Sequence, residues 1–229
     1  PDGVYVDVTF GGGGHSKEIL SRLGERGRLF AFDQDQDAVE NQIDDPRFTL
    51  IQANFQFIKR FLKFEGVKEV DAILGDFGVS SHQFDEGERG FSIRFDADLD
   101  MRMDQNTGMS ASELINTYAE EDLAQILWQY GEIKMSRKLA KAIVQERTTH
   151  PIQSTSQLND LLTPFFPPTK VNKFLAQVYQ AIRIEVNQEM EVLKAFLLQT
   201  PELLKKGGRL SLISYHSLED RLVKRFIRD

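Results

Sequence analysis

At 229 residues, 41% of them hydrophobic and 28% charged, the chain has the length and composition of one large soluble globular domain or of a core domain carrying an insertion. The absence of cysteine excludes disulfides and thiolate metal sites, the four histidines lack ligand spacing and give no metal site, and no apolar run approaches the roughly 20 residues that span a bilayer. The net charge of -7 hides an asymmetry: the first 133 residues carry 12 Lys and Arg against 26 Asp and Glu, and the rest carry 16 against 9, so a polyanionic partner is sought on the later part.

The first strand pattern, residues 4–10, runs into Gly11-Gly12-Gly13-Gly14-His15-Ser16 and then a helical pattern through Ile19, Leu20 and Leu23. Four consecutive glycines are costly to order, so this turn is expected to serve a ligand lying against bare backbone at the first amides of the helix. Seventeen residues past Ser16 a second strand, residues 28–32, ends in Asp33, whose carboxylate suits the two hydroxyls of a ribose. The spacing departs from the dinucleotide fingerprint, because GxGxxG counted from Gly11 asks for glycine where Ser16 stands. A nucleoside site without pyrophosphate fits better.

A helix over residues 37–43 is closed by Asp45-Pro46, and a third strand over residues 48–53 has Phe55 just past its end. A helix and a strand between residues 57 and 74 continue the alternation, which predicts a parallel sheet with its ligand at the strands' carboxyl ends. Gly11 to His15, Asp33, Phe55 and Asp76 then share one rim. Beyond Asp76 the periodicity weakens for about thirty residues, long enough to read as a functional loop and the wall of an active site.

From Ser110 the pattern is helical. Ser110 and Glu113 form a capping box, Leu123, Ile126, Leu127 and Tyr130 an apolar face, and residues 133–144 a helix presenting Lys134, Arg137, Lys138 and Lys141 at spacings of three and four. Another helix follows over residues 170–183, after the prolines between 164 and 168. Helices without strands predict an all-helical insertion over residues 108–184, within a core of residues 1–107 and 185–229. A long helix over residues 185–206, a stop at Gly207-Gly208 and a strand over residues 209–215 return to the sheet, which is read as incomplete at both ends.

Five blocks in order carry a resemblance that covers the chain from Asp2 to Arg228. They are Asp7 through Ser16, Gly78-Val79-Ser80-Ser81, Glu88-Arg89-Gly90-Phe91-Ser92, Leu99-Asp100-Met101-Arg102-Met103-Asp104, and Ser214-Tyr215-His216-Ser217-Leu218-Glu219-Asp220-Arg221. Together they strongly resemble the MraW family. That resemblance implies an α/β fold, a Rossmann-like methyltransferase sheet with an inserted helical domain that recognises rRNA. It implies a cytoplasmic enzyme that uses S-adenosylmethionine to methylate the exocyclic N4 of a cytosine in the decoding region of bacterial small-subunit (16S) rRNA. The partner is that rRNA or the small ribosomal subunit, with no membrane, and the oligomeric state stays open, a homodimer included.

The implied cofactor positions are Gly13, Gly14, His15, Asp33, Phe55, Asp76 and Gln83. Three residues depart from the family pattern: Val8 stands for Gly, Phe77 for Leu and His82 for Pro, and the last two are expected to flank the methyl-acceptor pocket. The Asn/Asp-Pro-Pro-Tyr turn of many amino-methyltransferases is absent, and Asp76 to Ser81 takes its place. Asp76, Ser80 or neighbouring carbonyls are therefore expected to accept the amine's hydrogen bonds, with His216 as a candidate to take its proton. Lys134, Arg137, Lys138 and Lys141, joined by Arg221, Lys224, Arg225 and Arg228, are the expected phosphate contacts. Two other classes remain: a nicotinamide-dependent oxidoreductase, and a non-catalytic RNA-binding protein that retains the cofactor fold.

Overall fold

The computed structural model describes residues 2–78 and 87–228. Contacts divide the chain into two units, one of residues 1–81 and 190–229, the other of residues 82–189. The strands are β1 (Val4–Asp7), β2 (Arg28–Asp33), β3 (Phe48–Gln52), β4 (Val70–Asp76) and β5 (Leu204–Ile213). Helices α1 (Gly14–Arg22) and α2 (Ile58–Phe64) lie between the early strands. The second unit holds α3 (Ala111–Thr117), α4 (Glu120–Gln129), α5 (Ser136–Arg147), α6 (Thr155–Leu162) and α7 (Val171–Val186). The chain then forms α8 (Glu189–Leu203) before β5 and α9 (Ser217–Arg228) after it.

The sheet has the order β3-β2-β1-β4-β5, with every pairing parallel. Parallel strands covered on both faces must be apolar on both, and β2 shows how its sequence meets this. Phe30 and Phe32 join one core with Val6, Ile73, Ile58 and Leu62 of α2, and Phe196 and Leu197 of α8. Leu29 and Ala31 join the other with Phe10, Phe48 and Leu20 of α1. Helix α8 is also stitched to α2 and the turn before it: Gln199 Nε2 donates to the Gln56 carbonyl at 2.7 Å, and Lys59 pairs with Glu202. Because β1 has β2 on one side and β4 on the other, the chain reverses its direction of travel across the sheet there. The carboxyl ends of β1 and β4 therefore flank a crevice of the kind that takes ligands.

Three elements differ from the sequence reading. Strand β1 stops at Asp7, although Val8 N still donates to the Leu74 carbonyl and Phe10 N to that of Phe32. Residues Gln36–Asn41 wind as a 3-10 turn, capped by the Asp35 side chain accepting from Asp37 N. The break expected between helices over residues 170–183 and 185–206 falls later, at Asn187, and the second helix gives way to β5 at Leu204. Asn187 ends the first by spending its side chain elsewhere: Oδ1 accepts from Met103 N at 2.7 Å and Nδ2 donates to the Met101 carbonyl at 2.8 Å. Gln188 then takes a φ of 51°, which no α-helix accommodates.

In the second unit the apolar stripes of the helices meet in a buried core that includes Leu114, Leu123, Leu127, Leu139, Ile143, Leu158 and Ile182. The irregular stretch read as an active-site wall is, from residue 87 onward, bonded into this unit. The buried Arg89 donates to the carbonyls of Arg102 and Met103, Leu99 N to the Gln153 carbonyl, and Ala111 N and Ser112 N to those of Asp100 and Leu99. Gly90, at φ 75°, is required there because a Cβ would lie 2.5 Å from the Asp98 carbonyl oxygen.

The expected capping box is present, with Ser110 Oγ accepting from Glu113 N and Glu113 Oε2 accepting from Ser110 N. Ser110→Ala is expected to cost about 1 kcal/mol, read as a lower urea midpoint at unchanged slope.

Candidate active site

Asp7, at the end of β1, sets the glycine turn. It is fully buried, with Oδ1 accepting from Thr9 N at 3.1 Å and Oδ2 from Ser16 Oγ at 2.7 Å. Burial pushes its carboxyl up against the opposing pull of these bonds. Ser16, the residue that breaks the dinucleotide fingerprint, thus fastens the first turn of α1 to the strand before it. Between the two anchors Gly11 and Gly13 take φ values of 50° and 76°, and Gly12 and Gly14 face open space, with no atom within 4 Å of where a Cβ would stand. Bare backbone at the start of a helix is the surface a carboxylate or a nucleoside can approach closely.

Asp33 closes the turn from the next strand, Oδ2 accepting from Gly11 N at 2.8 Å and Oδ1 from Asp35 N at 2.9 Å. Burial pushes its pKa up to about 6 despite those two amides, which favour the charged form. Each carboxylate oxygen keeps a further lone pair for an incoming hydroxyl.

Phe55 opens the short turn after β3, where the Asn54 side chain accepts from Gln56 N. Its half-buried ring packs 5.4 Å edge-on from Phe196 and 5.9 Å from Phe77. Phe77, expected beside the acceptor pocket, is 5% exposed and packs in the core against Phe55 and Phe196. Strand alternation explains this, because the residue after Asp76 turns to the opposite side.

Asp76 ends β4, its amide donating to Thr9 Oγ1 at 2.7 Å and its Oδ2 taking a 3.1 Å contact from His15 Nε2. Its Oδ1 is buried with no hydrogen-bond partner among the described residues. A buried acceptor left open is costly unless something arrives to fill it. Tyr215 stands beside this carboxylate, which raises the phenol above its ordinary pKa as acceptor and as charge. Ser80 and Gln83, like His82, lie outside the described residues.

His216 begins the last helix. Its Nδ1 accepts from Glu219 N at 3.4 Å, and its Nε2 lies 3.1 Å from Glu219 Oε1 without the geometry of a hydrogen bond. Burial works against the Glu219 charge, but His216 and the amides of Tyr215 and His216 hold its carboxyl below the usual range. Lys134, Arg137, Lys138 and Lys141 are all exposed along α5 and the turn before it, with no ion pair among the described residues.

Sequence reasoning passed over Asp7, Thr9 and Tyr215. The signal for Asp7 was present, since an acid inside an otherwise apolar strand asks for a partner. Tyr215 carried no such signal.

A five-stranded parallel sheet with a glycine turn after β1, an acid after β2 and another after β4 defines a Rossmann-like methyltransferase. The chain belongs to the MraW methylase family, whose model matches residues 1–229. It is 68% identical over 228 residues to the ribosomal RNA small subunit methyltransferase H of Christiangramia forsetii, covering 100% of this chain and 76% of that protein. The like-named proteins of Flavobacterium johnsoniae and Bacteroides fragilis are 62% and 56% identical, again over 100% of this chain and over 76% and 75% of theirs. The protein is accordingly a methyltransferase whose methyl donor is S-adenosylmethionine. The residues present fit that molecule: bare backbone at Gly12 and Gly14 for its close approach, free lone pairs on Asp33 for a ribose, and an unfilled acceptor on Asp76. No helix among the described residues is long and apolar enough to cross a membrane.

Proposed function

We propose that this protein, working in the cytoplasm, methylates the exocyclic N4 of a cytosine in the decoding region of 16S rRNA within the small ribosomal subunit. The observation that carries the catalytic reading is the open Oδ1 of Asp76, at the end of the strand beside the glycine turn. When bound, S-adenosylmethionine supplies an electrophilic methyl carbon. Gly13, Gly14 and His15 line its approach, Asp33 takes the ribose hydroxyls, and Phe55, Asp76 and Gln83 complete the contacts. The cytosine amine is a poor nucleophile because its lone pair is delocalised into the ring. Asp76, with Ser80, accepts its N–H bonds and turns that lone pair outward, stabilising the positive charge that develops on nitrogen. The amine must then shed one proton. Acceptance by His216 requires its Nδ1 to be released from the Glu219 amide.

Residues 108–184 are the part assigned to rRNA recognition. The four exposed cations of α5 and the turn before it, without an ion pair among the described residues, support this, since phosphate contacts need cations not already spent on carboxylates. Reversing two of them, Lys134→Glu with Lys138→Glu, is expected to weaken rRNA binding about tenfold and to flatten its salt dependence, with cofactor affinity unmoved. Filter binding at several salt concentrations reads this. Unchanged rRNA affinity would leave α5 a solvated face.

The function itself is tested by incubating the protein with labelled S-adenosylmethionine and unmodified small subunits, then locating the label. N4-methylcytosine in the decoding region is the expected product. Label on another base or on protein overturns the proposal.

A further inference from the structure

A single exposed aromatic side chain needs no explanation by itself. Tyr215, 71% exposed, is set apart by where it stands and how it is held. It lies just past β5, whose Ile213 is opposite Asp76 in the parallel register and accepts from Phe77 N at 3.0 Å. The ring therefore sits on the rim that carries Asp76. Its backbone is pinned, with Tyr215 N donating at 2.9 Å to Oε2 of the buried Glu219. Gly78, at φ 112°, passes close to the ring, since a Cβ there would come within 3.4 Å of Tyr215 Cδ2. Gly78 thus passes the phenol without a side chain of its own to cover it.

A base that undergoes chemistry at its exocyclic amine has to leave its stack, and a protein replaces the lost stacking with an aromatic face. The two aromatic rings nearest the ends of β3 and β4, Phe55 and Phe77, are packed against each other and against Phe196. The other exposed rings of this unit, Phe57 and Phe64, lie at the start and end of α2, after the edge strand β3 rather than beside β4. Among the described residues that leaves Tyr215. We propose that Tyr215 is the stacking surface for the extruded cytosine, holding the base plane so that its amine meets the open acceptor of Asp76. This rests on the reading of the protein as an rRNA cytosine methyltransferase.

The test compares Tyr215→Ala, Tyr215→Leu, Tyr215→Phe and Tyr215→Trp. On unmodified small subunits, the Ala and Leu variants are expected to lose about 5- to 150-fold in kcat/KM. The Phe and Trp variants, which keep the flat face, are expected to recover to within about threefold of the original protein. A second readout needs no methyl transfer. A short single-stranded RNA carrying pyrrolocytosine at one position should be quenched on binding by the original protein and by the Phe variant, and not by the Ala variant.

Normal kcat/KM in Tyr215→Ala overturns the assignment. So does a Phe variant as impaired as the Ala variant, which would place the effect in the hydroxyl. If the protein leaves small subunits unmethylated yet quenches the probe in a Tyr215-dependent way, the substrate reading falls and the stacking surface stands.

Discussion

Asp76→Ala is expected to lower turnover by about 100- to 1,000-fold, more than any accompanying loss of cofactor affinity. Its Oδ1 is buried and open, and its position is fixed twice over: the amide is held by Thr9 Oγ1 and the other oxygen by His15. An acceptor preorganised in this way costs nothing to reorient when positive charge appears on the attacking nitrogen. Removing one such group from a transition state is worth about 2.7–4 kcal/mol. Asp76→Asn, which keeps the shape but offers an N–H of its own, should be nearly as impaired. Single-turnover methylation, with cofactor affinity measured separately by equilibrium binding, makes the comparison. Turnover near that of the original protein would remove Asp76 from the chemistry.

Asp33→Ala is expected to weaken S-adenosylmethionine binding by at least about 100-fold, because two hydroxyl bonds to a charged acceptor are worth about 1.5–3 kcal/mol each. The carboxyl also braces Gly11, so the turn itself loosens. A pH dependence follows with a definite sign. In the free protein this group titrates near 6, above its ordinary 3.8, chiefly through burial. The ionised form is therefore a burden to the folded chain, one that appears as pH rises from about 4 to 6 and persists above. Two ribose hydroxyls donate far more strongly to the ionised form, which offers both oxygens as full acceptors, and so pull the pKa down on binding. Affinity should accordingly fall as pH drops below about 6, approaching tenfold per unit, and stay flat above about 7. Titration calorimetry between pH 5 and 8 reads the slope. Asp33→Asn should abolish it, and an unchanged slope in that variant would assign the proton elsewhere.

Much of the fold was legible because its signals were local. Alternating strand and helix patterns with short connections define a parallel sheet, and Ser110 with Glu113 marked a helix start that the structure reproduces. The glycine turn and Asp33 could be paired across the rim, because consecutive parallel strands place their carboxyl ends together. What escaped depended on distant partners. Asn187 reads as an ordinary helical residue until Met101 and Met103 arrive from 86 and 84 residues away to claim its side chain. Phe77 adjoins Asp76, and its packing in the core against Phe55 and Phe196 depends on rings from other elements that no local pattern announces. Tyr215 has no periodicity to mark it, since its meaning comes from the strand next to its own.

The stitch between α2 and α8 has a consequence for how the chain is born. Gln56 and Gln199 are 143 residues apart, as are Lys59 and Glu202. At about 5–20 residues per second, translation needs roughly 7–30 s to deliver the second half of each pair. Throughout that delay the growing chain holds β4 with an unmatched edge and leaves Ile73 and Phe77 without the helix that shelters them. The helical insertion is synthesised in this interval, so the nucleotide fold can close only after the insertion exists. Until then the nascent polypeptide is a natural client for holding chaperones.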